Sequence, residues 1–170
     1  MNSKNGSNCL LFLVTQVTNI KLWLMKLFKF TIILFDGFVA LLGLAFAFVY
    51  LFRPEFMSYH LLAVHETWAD VDPGFQILII ALMRVSGGGF LAISGAIMIL
   101  LYQFYKHEKV WPVIAIFFIG QSILIPTLYA TLLVKNHTGA NPPLTAAAFA
   151  IGLLLIGCIL ALIRNNQVKD

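Results

Sequence analysis

Charge is what this sequence has least of. Only 11% of its 170 residues are Asp, Glu, Lys or Arg, against roughly 25% in soluble domains. A chain so short of charge cannot cover a water-exposed surface, which excludes an ordinary soluble globular protein and makes lipid the expected solvent. Cysteine is also scarce. Cys9 and Cys158 lie far apart with no CxxC spacing and no His/Cys cluster, so neither a structural disulfide nor a zinc site is expected. No GxxxxGK[ST] phosphate loop is present, and no catalytic triad can be assembled. The sequence therefore offers no catalytic residue and no metal ligand set.

What is present is hydrophobic length: 61% of the residues are hydrophobic and the mean hydropathy is +0.93. A bilayer core about 30 Å thick needs about 20 apolar residues in a helix. Four runs meet this, roughly Phe30 to Phe52, Phe75 to Tyr102, Val110 to Val134 and Pro143 to Ile163. Helices satisfy their own backbone groups in lipid, and the runs lack the alternation of a barrel strand. The fold class is all-α, an integral membrane four-helix bundle over residues 30–163. A tail of residues 1–29 precedes it and residues 164–170 follow.

The net charge of +4 could suggest nucleic acid, but the placement of the charges argues for topology instead. Lys4, Lys21, Lys26, Lys29, Lys106, Lys109, Arg164 and Lys169 fall on one side of the expected spans, and only Arg53 and Lys135 on the other. Eight against two predicts both termini on the cytoplasmic side of an inner membrane, with the bilayer as partner and no nucleic acid. Residues 20–29 place Ile20, Trp23, Leu24, Leu27 and Phe28 on one helical face and Lys21, Lys26 and Lys29 on the other. That pattern suits an interfacial amphipathic helix. Equally, Met25 begins MKLFKFTIILF, an ordinary start for a membrane protein, which would make residues 1–24 an upstream extension. The Ala45-Phe46-Ala47 stretch resembles a signal-peptidase site, but the apolar run continues past it and Asp36 interrupts it, so an uncleaved first span is favoured.

The loop from Arg53 to Gly74 is the longest connection. Its SYHLLAVHETWA stretch has helical composition, and Asp72-Pro73-Gly74 is a helix-start signal. His60, His65, Glu66 and Asp70 lie there, but the two histidines are five apart, a poor spacing for one metal, and a solvated loop is the simpler reading. Asn136-His137-Thr138 matches a glycosylation sequon close to the membrane.

Ionisable groups inside spans are costly and point to function. Two are expected at membrane depth, Asp36 and Arg84. Arg84 lies about ten residues, or about 15 Å, from the outer end of its span and Asp36 about 9 Å above the inner end of its own. Arg84 either anchors structure by bonding carbonyls, Gln121 or loop acids, or presents its planar fork to a carboxylate, phosphate or quinone carbonyl. Asp36 is either an interfacial acid or a proton or cation site. In the third span Gln121 is central, with Ser122, Pro126, Thr127 and Tyr129 nearby. These residues nominate Arg84, Gln121, Asp36, Ser122 and Tyr129 as ligand-binding candidates. Gly87, with the Gly88/Ala92/Ala96 stripe and Gly95, is a candidate helix-packing or dimer face.

The Arg84-Val85-Ser86-Gly87-Gly88 pattern, with Gly95 after it and two further spans, resembles the DoxX-like group and related small four-helix bacterial membrane proteins over residues 30–163. The resemblance implies an inner-membrane accessory protein, in some relatives associated with quinone-linked redox complexes, and makes Arg84 and the following glycines the residues to test. The expectation is a non-enzymatic multi-pass protein. It binds a lipid-like or quinone-like ligand, or a membrane partner as homodimer or complex subunit. A small dimeric proton- or cation-coupled transporter using Asp36 is the alternative, and a membrane-embedded enzyme the second alternative.

Overall fold

The computed structural model describes the backbone of residues 3–169 and the side chains of residues 15–167. Lys4, Cys9, the apolar residues 10–14 and Lys169 thus lie outside the described side chains, and Asn2 outside the described backbone. The described residues form five helices: α1 (Ser3–Phe52), α2 (Ser58–Val64), α3 (Pro73–His107), α4 (Trp111–Thr138) and α5 (Leu144–Lys169). Four of them are long and apolar enough to cross a membrane. Large side chains such as Ile77, Val85 and Phe118 stand mostly exposed on their outer faces, Val85 at 75%. An apolar exterior of this extent matches lipid rather than water.

α1 runs without interruption through residues 20–29 into the first span. No glycine or proline stands between Ile20 and Asp36 to break it, so the amphipathic stretch continues the span in line rather than turning onto the surface as a separate helix. α3 begins where Asp72 Oδ1 accepts from the Gly74 and Phe75 amides at 2.8 and 3.4 Å, with Pro73 in the first turn. These donors have no partner inside the helix. Glu108 ends α3 and Gly139 ends α4, both in left-handed conformation with φ of 55° and 69°. Gly139 adopts it without a Cβ penalty. The short turns that follow make α3, α4 and α5 neighbours of one another.

The long helices pack in the order α1, α3, α4, α5 and back to α1, each against two others. Close approach depends on small residues. A Cβ on Gly87 would stand 2.9 Å from Leu51 Cγ and 3.1 Å from the Ala47 carbonyl, so α3 meets the α1 backbone there. A Cβ on Gly120 would collide with Leu154, and one on Gly43 with the Ser94 hydroxyl. By contrast, a Cβ on Gly88 or Gly95 would meet nothing within 4 Å, and Ala92 is exposed.

Three apolar layers stack along the bundle. Ile32, Phe104, Val113 and Ala161 form one, and a central layer includes Val39, Ile97, Leu124, Ala150 and Leu154. The third, Phe56, Val71 and Met83 with Tyr50 and Trp68 against them, lies under the α2 segment. The end carrying the first layer is called the basic end below, and the end carrying α2 the loop end.

Candidate functional site

The five candidate ligand residues do not converge. Arg84 donates from Nη1 to the Tyr50 carbonyl at 2.8 Å and from Nη2 to the Arg53 carbonyl at 3.0 Å. Tyr50 is in the last turn of α1 and Arg53 directly follows it, so these are carbonyls with no donor further along the same helix. The first three turns of α3 therefore rise past the end of α1, and Arg84 sits level with that end. Arg84 and Gly87, one helical turn apart, together lock α3 onto the end of α1.

Gln121 faces α5 instead. Its Nε2 donates to the Ile151 carbonyl at 3.4 Å, and its Oε1 is buried without a hydrogen-bond partner among the described residues. Ser122 is exposed and bonded to its own helix at Ile119, and Tyr129 is 67% exposed. Both point away from the bundle interior. Asp36 is 0% exposed, and neither carboxyl oxygen has a hydrogen-bond partner among the described residues. A Cβ on Gly157 would stand 2.6 Å from its Oδ1, so α5 has a glycine where the carboxyl needs room. Asp36 lies fourteen residues before Tyr50 on α1, about 21 Å along the axis, so Asp36 and Arg84 occupy different levels.

Two clusters escaped the sequence reading. At the basic end, Glu108 sits between two cations. Lys29 Nζ donates to Glu108 Oε1 at 2.6 Å and to the Tyr105 carbonyl at 3.1 Å, while Arg164 Nη2 bonds Glu108 Oε2. Arg164 is 7% exposed and lies over the Phe104 ring. The hydrogen bond from Lys29, with Arg164 beside it, holds the Glu108 carboxyl below its ordinary range against the opposing effect of burial. The one signal in the sequence was that Glu108 is the lone acid in the basic inter-helix loop.

The second cluster is a cavity of about 90 Å³ on the bundle axis, toward the loop end. All four long helices line it, along with Tyr59 of α2. On α1 it spans Val39 to Tyr50, eleven residues or about 16 Å. The space exists because α5 presents Ala146, Ala147 and Ala150, while Gly43 and Gly120 also contribute little bulk. Phe46, Tyr50 and Phe90 form an aromatic collar, with ring centroids 6.0–6.4 Å apart. At its end the Tyr50 and Tyr59 hydroxyls meet at 2.5 Å. Burial, then the bond to Tyr50, pushes the Tyr59 phenol well above its ordinary value, so it stays neutral. The Thr127 and Thr131 hydroxyls are turned onto carbonyls of their own helix, leaving Tyr50, Tyr59 and Ser94 as the polar groups of the cavity.

The loop histidines do other work. His60 Nδ1 accepts from the Met57 amide at 3.3 Å, and its ring meets Phe56 and Tyr59 edge-on. Among the described residues no group of three or more metal-binding side chains comes together. Compared with protein-family models, with curated proteins and with solved structures, the chain finds no match.

Proposed function

We propose that this is a non-enzymatic multi-pass membrane protein that holds a lipid-like or quinone-like ligand inside its helix bundle. The observation that carries the reading is the axial cavity: an apolar shaft with hydroxyl groups at one end, lined by every long helix. Binding sites of this kind are concave and mostly apolar, with a few placed polar groups. Arg84 shapes the site through the end of α1 rather than by touching the ligand. The eight-to-two distribution of lysine and arginine supports an inner-membrane orientation with both termini cytoplasmic. Ala92 is exposed and Gly88 and Ala96 are partly so, and this stripe offers a face for a second copy or a partner subunit. A DoxX-like assignment is proposed on the Arg84–Gly88 pattern, Gly95 and the four-span topology.

Native mass spectrometry of protein extracted gently from its membrane tests this. A bound hydrophobic molecule of defined mass is expected, and Ala147→Phe, which fills the shaft, should release it while helix content by circular dichroism is kept. Retention of the same molecule by a folded Ala147→Phe protein would overturn the assignment of the site.

One observation favours a second reading. Asp36 is an ionisable group with no hydrogen-bond partner among the described residues, buried between two apolar layers, and such groups mark ion pathways in membranes. A proton- or cation-coupled transporter would use it. Asp36→Asn should then abolish coupled uptake in proteoliposomes, and undiminished uptake by that variant would remove the role.

A further inference from the structure

We infer that the groove where α3 ends and α4 begins binds the phosphate of an anionic phospholipid in the leaflet at the basic end. This site lies outside the axial cavity and does not depend on the ligand proposed there.

The groove has a volume of about 240 Å³ and is lined by Gln103, His107, Lys109, Trp111 and Pro112. Gln103 and His107 are four residues apart, so they share one face of α3. Glu108 then turns the chain in left-handed conformation, Lys109 follows, and Trp111 and Pro112 open α4. At about 30 Å³ for each water-sized group, the space exceeds what the five heavy atoms of a phosphate need.

The lining suits an anion. A lysine ammonium and an indole N–H donate hydrogen bonds and accept none, and the Gln103 amide adds two further donors. No lining residue is an acid. Among the described residues Glu108 is the only acid outside the spans at this end, and both its oxygens are taken by Lys29 and Arg164. Lys106 and Lys109 are exposed and form no ion pair among the described residues. The groove at the loop end differs: its one cation, Arg53, stands 3.8 Å from Glu55 in the same lining.

Depth selects a lipid over a free anion. The groove stands where two candidate spans end, at His107 and Trp111. Tyr102, Tyr105 and Trp111 are exposed around it, as aromatic rings are at headgroup level. One turn deeper on α3, Ile99 shares the face of Gln103 and His107. Two turns deeper on α4, Phe118 shares the face of Trp111. Both are exposed, so acyl chains below a phosphate held by Lys109 would meet hydrocarbon at once. Basic pockets between spanning helices take anionic head groups in this way.

The test titrates full-length protein in detergent with dioleoyl phosphatidylglycerol and with dioleoyl phosphatidylcholine, read by native mass spectrometry. One phosphatidylglycerol per chain is expected, about fivefold tighter than phosphatidylcholine, the value of one lysine beside an anionic head. Lys109→Ala should erase that preference while helix content by circular dichroism is kept, and Lys109→Arg should keep the preference. Lys26→Ala removes the same charge at the same end but from α1, outside the groove, and should leave the preference intact. Inorganic phosphate should displace a fluorescent phosphatidylglycerol no better than chloride at equal ionic strength. Equal affinity for the two lipids, or a preference that survives Lys109→Ala in a folded protein, would overturn the site. An equal loss in Lys26→Ala would overturn it in favour of diffuse surface charge, and displacement by inorganic phosphate would overturn the lipid as its occupant.

Discussion

The two ends of the bundle are held together by different physics. At the basic end a single carboxylate, Glu108, is gripped by Lys29 from α1 and Arg164 from α5, so three segments meet on one charge. Below it Ile32, Phe104, Val113 and Ala161 are packed nearly without exposure. At the loop end the ties are an arginine on carbonyls, a pair of tyrosine hydroxyls and aromatic edges. There the α5 wall is alanine and an open shaft remains. A cluster fixed by opposite charges allows one arrangement. Aromatic and alanine surfaces allow small displacements at little cost, which is what an end that admits a ligand requires. The difference teaches where to look for a ligand inside the bundle: at the end whose packing is incomplete, not at the end that carries most charge.

Four experiments would break or sharpen that contrast. The largest effect is expected from Arg84→Ala. It strips two charge-assisted hydrogen bonds from the end of α1, which together contribute about 2–3 kcal/mol. Unfolding in mixed micelles should show that loss, and hydrogen exchange should rise at α2 and the first turns of α3 while the α3–α4 turn stays protected. Equal loosening at both ends would erase the distinction drawn above.

Arg164→Ala should come next, at about 1–2 kcal/mol. It removes a buried partner, but the carboxylate left behind is half-exposed and keeps Lys29, so solvent screens the loss. Here exchange should rise at the α3–α4 turn and leave α2 alone.

Gly87→Ala and Gly88→Ala form a third, paired test. Both replacements favour a helix by up to about 1 kcal/mol. At Gly87 the added methyl meets Leu51 and the Ala47 carbonyl, and the net change should be a loss of about 1–2 kcal/mol. At Gly88 the methyl meets nothing within 4 Å among the described residues, so stability should hold or improve slightly. A Gly88→Ala protein that instead falls from dimer to monomer in native mass spectrometry would place a second copy on that stripe.

The smallest effect is on pH. Burial, and then the charge of Arg53, lowers the His60 pKa from 6.5. The unfolded chain therefore binds the extra proton first, and the α2 cap should lose stability as pH falls through 6.5. Glu108 is held below its ordinary 4.5 by Lys29 and Arg164. Its contribution is complete above 4.5 and lost only at lower pH, so the basic end should outlast the loop end on acidification. Variants keeping only Trp68 or only Trp111 would report the two ends separately by fluorescence. Coincident transitions would contradict the assignment.

Much of this was legible from residue chemistry. Four apolar runs could become only membrane-length helices, because without the alternation of a barrel strand only a helix satisfies its backbone in lipid. Asp72-Pro73-Gly74 announced the start of α3. The continuity of α1 through residue 30 was harder to foresee, since an amphipathic pattern does not say whether a helix bends where the pattern changes. The individual weight of Asp36, Arg84 and Gln121 was also visible, because polar groups in apolar runs stand out. Which partners they take was not, although bonding to carbonyls was one of the roles open to Arg84 and is the one it has. Depth counted along each helix put Arg84 and Gln121 at similar height, where they could meet, but α3 overshoots the end of α1, and that offset between helices is a property of packing.

The sequence by itself determined the class of this protein, the number of long helices and the few residues that cannot face lipid unsatisfied, since these follow from hydrophobic length and the cost of burying charge. Only the tertiary structure decided that Arg84 spends its donors on the end of α1 and the residue after it, that Asp36 faces Gly157 without a hydrogen-bond partner among the described residues, and that Tyr50 and Tyr59 meet beside a cavity walled by alanine. The physical reason is that contacts between helices depend on rotation and relative height, and a run of small or apolar residues reads the same whether it meets lipid, a neighbouring helix or an empty space.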